Sequence, residues 1–204
     1  MELLIIRHGQ SEADVLGVHE GRADFPLTEL GEKQARRMAT YIEQHYPPSI
    51  ILSSPLIRAK KTANILQESI GCELIVNKDL MEFNNWVLAG LSRKEAAIKY
   101  PFPKGRRPAH IPIKDGESDL EFRFRVDSIF HKVLVEYQDY ERVAIVSHGG
   151  TISNLLKAFL KQPMNNEFIS TGDTGIHLLE IKDNNRIIRF LNKQEHLHMI
   201  EEEG

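Results

Sequence analysis

The sequence has little cysteine, no long apolar run and no excess of positive charge, and each shortage excludes a class of protein. Cys72 is the single cysteine, so an internal disulfide and a cysteine-based zinc site are both excluded. The apolar run Leu3–Ile6 is too short for a signal peptide or a membrane span. The formal net charge of -3 gives no electrostatic footprint for nucleic acid. We therefore expect a cytoplasmic protein without membrane or nucleic-acid partners, and we do not predict an oligomer.

Short apolar segments alternate with helical patterns along the 204 residues. This alternation predicts an α/β domain whose largely parallel sheet is covered on both faces. We expect a single domain over residues 1–204, with an insertion at about 83–117 that covers the active site and an irregular segment at 9–27. The predicted strands are 3–6, 50–52, 74–76, 143–146, 176–181 and 187–191, and the predicted helices lie near 29–46, 56–70, 92–100, 118–138 and 151–161.

Two of the apolar segments end in the same way. Leu-Leu-Ile-Ile-Arg-His-Gly spans 3–9, and Val-Ala-Ile-Val-Ser-His-Gly spans 143–149. If these strands are neighbours, His8 and His148 face each other across one crevice at the carboxyl edge of the sheet. Gly149 and the helix that follows it would offer backbone N–H groups and the positive end of a helix dipole to an anion.

Two arginines accompany these histidines. Arg7 precedes His8, and Arg58 follows the 50–52 strand. Arginine binds multi-oxygen anions through a planar fork of donors and stays charged at any working pH. Two arginines and two histidines at strand ends therefore favour a phosphoryl group, whose transfer needs positioning and neutralisation of charge. This set could supply both without a metal ion, so we predict no metal and no cofactor.

The chemical roles divide between these side chains. One neutral imidazole attacks phosphorus, and the second, protonated, binds the equatorial oxygens beside the arginines. An acid must still protonate the leaving alkoxide. We predict Glu82 for this role, because it follows the third strand and has Phe83 and Trp86 close by in sequence, an apolar setting that keeps a carboxyl group protonated. Glu117 is the competing candidate.

These residues belong to motifs that occur in a recognisable order. The motifs are Arg7–Ser11, the glycine, proline and threonine pattern of 21–31, Ser54–Ala63, Glu82, Gly116–Ser118 and Ser147–Gly150. With these motifs the sequence resembles the histidine phosphatase superfamily, the phosphoglycerate mutase-like group, from residue 3 to about 160. The resemblance implies a three-layer α/β/α sandwich with a mostly parallel central sheet. It also implies that His8 is phosphorylated, that Arg7, Arg58 and His148 form the phosphate pocket, and that Glu82 is the proton donor.

Some positions depart from the family pattern. The resemblance adds a substrate-binding set that comprises Ser11, Asp14, Gly21 and Gly149. The family usually has asparagine at position 14 and commonly glutamine at position 20, where this chain has Asp14 and Glu20. Negative charge there would repel a phosphate dianion or face a cationic part of the substrate. As side chains taken singly, both are more typical of a solvated loop.

Three further features bear on the pocket or on a second binding site. Trp86 stands where the family commonly has glycine, and its ring would narrow the leaving-group side of the pocket. The basic cluster could bind a second anionic group or form a solvated loop; it comprises Lys104, Arg106 and Arg107. His196 and His198 would share one face of a strand and could ligate a metal, but no third ligand lies nearby in sequence, so we interpret them as surface residues.

Three functions remain open at this stage. The first is a phosphomonoesterase that hydrolyses a small phosphorylated metabolite through a phosphohistidine on His8. The second is a cofactor-dependent phosphoglycerate mutase. The third is a catalytically weak protein that binds a phosphorylated ligand or regulates another protein, and the charges of Asp14 and Glu20 motivate it. The first hypothesis has every residue that its chemistry requires.

Overall fold

Across the part of the chain that the structure describes, six strands form one sheet. The computed structural model describes residues 1–101, 107–165, 167–183 and 185–198. The continuous apolar runs form strands because side chains alternate between the two faces of a sheet, and here both faces are covered. The strands are β1 Glu2–Arg7, β2 Ile50–Ser53, β3 Glu73–Val76, β4 Arg142–Ser147, β5 Ile176–Lys182 and β6 Asn185–Lys193.

The strand order is β3-β2-β4-β1-β5-β6. The first four are parallel, and their register pairs Arg7 of β1 with Ser147 of β4. The residues that follow these two strands therefore emerge side by side at the same edge of the sheet. β5 is antiparallel to β1, and β6 is antiparallel to β5. The prediction of a mostly parallel sheet is confirmed, with an antiparallel hairpin at one side.

Each predicted helix is present, with ends within about two residues of the predicted ones. The prediction that 9–27 is wholly irregular is wrong, because a short helix begins after Ser11. There Asp14 accepts from the Ser11 N–H, and the Ser11 hydroxyl accepts from the Asp14 N–H in a reciprocal cap. The helices are α1 Glu12–Leu16, α2 Glu29–His45, α3 Ile57–Ile70, α4 Arg93–Lys99, α5 Asp119–Glu136 and α6 Gly149–Phe159.

Two apolar cores, one on each face of the sheet, give the molecule its three layers. On one face, Leu3, Ile5 and Val143 pack against α5 and α6. On the other, Leu4 and Ile6 pack against α2 and α3. Each fully buried leucine or isoleucine stabilises the fold by roughly 1.5–3 kcal/mol, so the strands are fixed firmly in the middle layer. The α/β/α sandwich is thereby confirmed.

The end of the chain differs from the prediction. His196 lies in a 3₁₀ turn, Glu195–Leu197, and not on a strand. Its side chain is buried, and its Nε2 lies 2.8 Å from the Thr174 hydroxyl. The prediction that His196 is a surface residue is therefore wrong. In the described residues, no three His, Cys, Asp or Glu side chains are grouped to hold a metal ion.

The predicted basic cluster is only partly described. Lys104 and Arg106 lie outside the described residues, as does the acidic end 201–204. Arg107 donates to Asp119, with an Nη2–Oδ1 distance of 2.6 Å, and so takes part in an ion pair rather than standing free in solvent. Throughout the described ranges, no helix combines the length and the apolar character needed to cross a membrane.

A buried histidine next to β6 makes the stability of the fold sensitive to acid. The Nδ1 atom of His177 accepts from the Asn192 N–H at 3.2 Å, and Nε2 lies 2.9 Å from the Thr171 hydroxyl. This arrangement requires a neutral ring, and burial lowers the pKa of His177 to about 4. The unfolded chain, with a histidine pKa of about 6.5, binds more protons between these two values. The stabilisation is therefore complete above about pH 6.5 and is lost as the pH falls towards 4.

We predict that His177→Gln lowers the free energy of unfolding at neutral pH but flattens its decline in acid. The slope below about pH 6.5 should become shallower by up to about 1.4 kcal/mol per pH unit, the linkage of one histidine. Urea unfolding followed by circular dichroism at a series of pH values measures this. His131→Gln, at an exposed position, is the matched control and should keep the slope of the parent. An unchanged slope in His177→Gln would contradict the prediction.

Candidate active site

The structure brings His8 and His148 together at the carboxyl edge of the sheet. Their ring centroids are 5.2 Å apart, and both side chains are almost fully buried. His8 Nδ1 lies 2.7 Å from the Gly9 carbonyl oxygen. A carbonyl can only accept, so Nδ1 carries the proton and Nε2 carries the lone pair. Burial, followed by the charges of Arg58 and Arg7, holds the pKa of His8 well below its ordinary value, so the ring is neutral at neutral pH.

His148 occupies the position that begins α6. Its Nε2 lies 2.8 Å from the Ser54 hydroxyl, and its Nδ1 is buried without a hydrogen-bond partner among the described residues. Burial is the main cause that holds the pKa of His148 well below its ordinary value, and the charge of Arg58 adds to it. The prediction that His148 is protonated is therefore wrong for the site without a bound anion. A proton on this ring requires an added negative charge, such as a phosphoryl group provides.

Arg58, in the first turn of α3, is fully buried beside His8. Its Nε donates to His8 Nε2 at 3.3 Å. Its Nη1 donates to the Ala23 carbonyl at 2.9 Å and its Nη2 to the Gly21 carbonyl at 2.8 Å. Each of the three nitrogens thus donates a hydrogen bond, and these bonds fix the guanidinium plane beside the His8 ring.

Arg7, which precedes His8, is held by groups from two other segments of the chain. Its Nη2 donates to Asp14 Oδ1 at 3.1 Å, and its Nη1 donates to the Thr171 carbonyl at 3.0 Å. The same Nη1 lies 3.1 Å from Asp173 Oδ1. Asp173 was not among the predicted residues. A sequence signal for it was the Thr-Gly-Asp-Thr-Gly run at 171–175, which leads into β5. Because β5 is antiparallel to β1, the start of β5 lies beside the carboxyl end of β1.

Of the predicted substrate-binding positions, most are used to build the site. Ser11 is fully buried, and its hydroxyl and N–H both donate to Asp14 Oδ2 at 2.9 Å. Asp14 is therefore bound on one side by the helix cap and on the other by Arg7. Gly21 offers its carbonyl to Arg58, and its φ of +52° suits glycine. Gly149 is the first residue of α6, beside His148.

Glu20 lies in the site and not in a solvated loop, so that expectation is wrong. Its side chain is 17% exposed, and Oε1 lies 3.1 Å from Arg58 Nε. Its Oε2 lies 3.8 Å from His8 Nε2. Burial raises the pKa of Glu20 from its ordinary value, although the positive charge of Arg58 and the Ser11 hydroxyl oppose the rise. A carboxyl group thus lies directly beside the His8 ring.

Glu82 lies at the amino end of α6. Its Oε2 accepts from the Gly150 N–H at 2.7 Å, and its Oε1 accepts from the Phe83 N–H at 2.7 Å. The carboxyl group is therefore held next to the turn that carries His148.

The competing carboxylate, Glu117, is tied into an ion-pair network. It accepts from Arg125 Nε and from Arg22 Nη2, each at 2.8 Å, and from the Asn84 N–H at 3.0 Å. Burial acts to raise the pKa of Glu117, but the hydrogen bonds from Arg125 and Asn84 and the charges of both arginines outweigh it and hold the pKa below its ordinary value. Glu117 therefore stays ionised and is poorly suited to donate a proton. It ties the segment after Glu82 to Arg22 and Arg125.

A cavity of about 230 Å³ opens beside Glu82. Phe83 and Gly150, which both donate to the Glu82 carboxyl group, form part of its wall. Trp86 lies elsewhere, next to Arg22 and Ala23 around a second cavity, and its ring is more than half exposed. The prediction that Trp86 narrows the leaving-group side of the pocket stays a prediction. The other residues of the first cavity are Asp119, Phe122, Arg123, Ser153, Asn154, Lys157, Met164, Asn165, Glu167 and Phe168.

Comparisons with known proteins agree with this geometry. A family model described as the histidine phosphatase superfamily (branch 1) matches residues 3–194. The chain is 30% identical over 203 residues to a putative phosphoserine phosphatase 2 of Hydrogenobacter thermophilus, covering 97% of this chain and 98% of the relative. It is 30% identical over 168 residues to a probable phosphoglycerate mutase of Escherichia fergusonii, covering 80% of this chain and 76% of the relative.

A solved structure matches over nearly the whole chain. It is a mycobacterial glucosyl-3-phosphoglycerate phosphatase in complex with VO3, with a TM-score of 0.82 and 26% identity, and the match covers 94% of this chain and 98% of that one.

We predict that the charge of Arg58 is one cause of the low histidine pKa values. Arg58→Met should raise the pKa of both His8 and His148, although burial should still keep them below the ordinary value. Arg58→Lys, which keeps the charge and loses the fork, is the matched control and should raise them much less. Ring-nitrogen NMR shifts across a pH titration measure this and also test the Nδ1–H form of His8. Equal pKa values in the two variants would show that the charge has no such effect.

Proposed function

The chain belongs to the histidine phosphatase superfamily, and from that premise we propose how its site hydrolyses a phosphate monoester. As a member with phosphatase relatives along its full length, it is a phosphoric monoester hydrolase. One observation carries the proposed mechanism. The unprotonated Nε2 of the neutral His8 accepts from the buried Arg58, with His148 alongside and Glu82 at the amino end of the neighbouring helix.

In the first step, His8 Nε2 attacks phosphorus, and the bond from phosphorus to the ester oxygen breaks. The leaving oxygen takes a proton from the Glu82 carboxyl group and departs as an alcohol. The ring gains positive charge as the P–N bond forms, and the Gly9 carbonyl, which accepts from Nδ1–H, stabilises that charge. The product is a phosphohistidine on His8.

In the second step, water attacks the phosphohistidine. Glu82, now a carboxylate, takes a proton from the water, the P–N bond breaks, and inorganic phosphate leaves. Glu82 regains its proton and His8 returns to its neutral form, so the cycle closes without any other reactant.

The phosphoryl oxygens need positive charge throughout this cycle. Arg58 and Arg7 provide fixed charges on two sides, and His148 takes up a proton as the anion enters. These side chains are already held in place by the folded protein, so little reorganisation is required during the reaction. The mechanism we propose uses no metal ion.

We propose a small phosphorylated metabolite as the substrate. Its leaving group would occupy the cavity beside Glu82, whose volume of about 230 Å³ suits a small molecule. Phe83, Phe122 and Phe168 provide apolar contacts there. The relatives point the same way, because two of them are described as acting on phosphoserine and glucosyl-3-phosphoglycerate.

We also propose that 83–117 is an insertion that covers this site within a single domain of 1–204. Hydrogen bonds close its base, where the Glu117 N–H donates to the Asn84 carbonyl at 2.8 Å. The enzyme would work in the cytoplasm without nucleic-acid or membrane partners, and the single cysteine and the net charge of -3 support this.

A phosphoglycerate mutase is the second candidate, because some relatives are described as probable phosphoglycerate mutases. The first chemical step is shared, and the fate of the phosphohistidine decides between them. Transfer to the second hydroxyl of phosphoglycerate that outpaces transfer to water would favour the mutase. A protein that only binds a phosphorylated ligand is disfavoured, because the nucleophile and a positioned proton donor are both present in one site.

We predict that phosphate release is unaffected by a chelator and is lost in His8→Ala. Removal of the nucleophile should lower kcat by at least about a thousandfold. The assay is phosphate release from a panel of sugar phosphates, phosphoglycerates, phosphoserine and nucleotides, with and without chelator. Brief reaction with ³²P-labelled substrate should leave an acid-labile, base-stable label on the parent and none on His8→Ala. Activity that requires added metal, or label that persists in His8→Ala, would overturn the mechanism.

We predict that Gly150→Ala impairs proton donation by Glu82. An added Cβ would lie 2.5 Å from Glu82 Oε1, so the carboxyl group must shift. We expect kcat to fall on the order of 100-fold for an alkyl phosphate and much less for p-nitrophenyl phosphate, whose leaving group needs no proton. Gly149→Ala is the comparison, because its Cβ would meet nothing nearer than Phe168 Cζ at 3.8 Å, and its loss should be smaller. Equal losses on both substrates would rule out this role for Glu82.

A further inference from the structure

The carboxyl group of Glu20 occupies the space beside the nucleophile that a phosphoryl group must enter. Its two oxygens lie 3.1 Å from Arg58 Nε and 3.8 Å from His8 Nε2. We propose that Glu20 is a binding residue for the phosphoryl group and acts in its protonated form, so that each substrate bound requires one proton to be taken up at this side chain. This inference rests on the proposed function and specifies the form in which the phosphoryl group is bound.

The position of Glu20 is built into the fold. The His19 N–H donates to the Leu91 carbonyl at 2.8 Å, and the Gly90 N–H donates to the His19 carbonyl at 2.7 Å. On the other side, the carbonyls of Gly21 and Ala23 accept from Arg58. The backbone on both sides of Glu20 is thus fixed, so the side chain remains beside Arg58 and His8.

The two carboxyl groups that stand beside Arg7 and Arg58, Asp14 and Glu20, differ in their hydrogen bonding. Asp14 accepts from Arg7 and from both the hydroxyl and the N–H of Ser11. It is fully engaged as an acceptor. Glu20 Oε1 is buried and has no hydrogen-bond partner among the described residues, because Arg58 Nε is aimed at His8. Glu20 is therefore the carboxyl group with unused capacity that faces the reacting centre.

Charge determines which form of Glu20 can accept a phosphoryl group. The groups that face it are Arg58 from α3, Arg7 at the end of β1 and His8 directly after it, and Ser11 and Asp14 from the α1 segment. An ionised Glu20 would place a negative charge against the phosphoryl oxygens in a buried site, where repulsion is strong. A protonated Glu20 instead donates an O–H to one of those oxygens. Burial already raises the pKa of Glu20, and the approach of a phosphoryl anion raises it further.

The proton balance of this binding step is simple. Glu20 carboxylate, one proton and a phosphoryl dianion combine to give the neutral carboxyl group hydrogen-bonded to the bound dianion. The proton comes from solvent or from a phosphoryl monoanion, since the second ionisation of a phosphate monoester has a pKa of about 6. It returns to solvent when phosphate leaves. The site should therefore lose affinity as the pH rises, with an extra loss of about tenfold per pH unit attributable to Glu20.

Sulfate is a suitable probe, because it stays a dianion throughout the useful range and undergoes no chemistry. We expect the inhibition constant of sulfate, measured between about pH 5 and pH 8, to rise with pH in the parent protein. In Glu20→Gln the dependence should be shallower by one proton, and sulfate should bind at least about tenfold more tightly near pH 8, because the amide is a neutral donor. Glu12→Gln removes one charge from an exposed position of α1 and is the matched control, with the pH dependence of the parent.

Two further measurements separate Glu20 from the other titrating groups. Calorimetry of sulfate binding in buffers with different ionisation enthalpies counts protons, and the uptake in Glu20→Gln should be lower than in the parent by a number approaching one at neutral pH. The remaining uptake belongs to His148. Glu20→Asp retains a titrating carboxyl group and should retain the proton uptake, whereas an effect of folding alone would not follow this pattern.

The outcomes distinguish this inference from the proposed function. Equal proton uptake in the parent and Glu20→Gln overturns the role of Glu20 while leaving the phosphohistidine mechanism untouched. Weaker sulfate binding in Glu20→Gln also overturns it, and would mean that the carboxylate serves to orient Arg58. Failure to label His8 in the earlier experiment would overturn the hydrolytic mechanism but would not alter proton-linked anion binding.

Discussion

The buried guanidinium group of Arg58 connects most parts of the active site. It donates to His8 Nε2, forms an ion pair with Glu20, and donates to the carbonyls of Gly21 and Ala23. Burying a charge of this kind is costly unless it is paired and hydrogen-bonded, and loss of one partner typically costs about 3–5 kcal/mol. The guanidinium group and the loop that contains Gly21 and Ala23 therefore hold each other in place. Substrate binding then draws on a cation whose position has already been set by folding.

The parallel pairing of β1 with β4 supplies the second constraint. Because Arg7 lies opposite Ser147 in the register, His8 and His148 leave the sheet as neighbours. Both rings are buried and neutral, so the two imidazoles have similar surroundings. Their hydrogen bonds separate them. His8 is oriented by a carbonyl that fixes the proton on Nδ1, whereas His148 is held by the Ser54 hydroxyl, which can accept or donate.

The sequence was sufficient for the parts of the fold and site that depend on local pattern. Continuous apolar runs that end in a histidine placed His8 and His148 correctly, because a buried strand defines both its own direction and the edge at which it ends. Glu20 and Asp173 could not be placed in this way. Their positions depend on the path of loops around Arg58 and Arg7, and that path is set by long-range hydrogen bonds such as those between His19 and 90–91. The short helix α1 was missed for a related reason, since its stability comes from its cap and its contacts and not from periodicity.

Because β5 is antiparallel to β1, the loop before β5 lies beside the end of β1. The loop before β5 carries Asp173 and the Thr171 carbonyl, and both hold Arg7 from the far end of the chain. Residues separated by more than 160 positions thus share one guanidinium group. Truncation before residue 171 would leave His8, Glu82 and Arg58 in the remaining polypeptide but would remove the Thr171 carbonyl and Asp173 from Arg7. The loop that leads into β5 is consequently part of the site, and an insertion or a fusion point is poorly tolerated there.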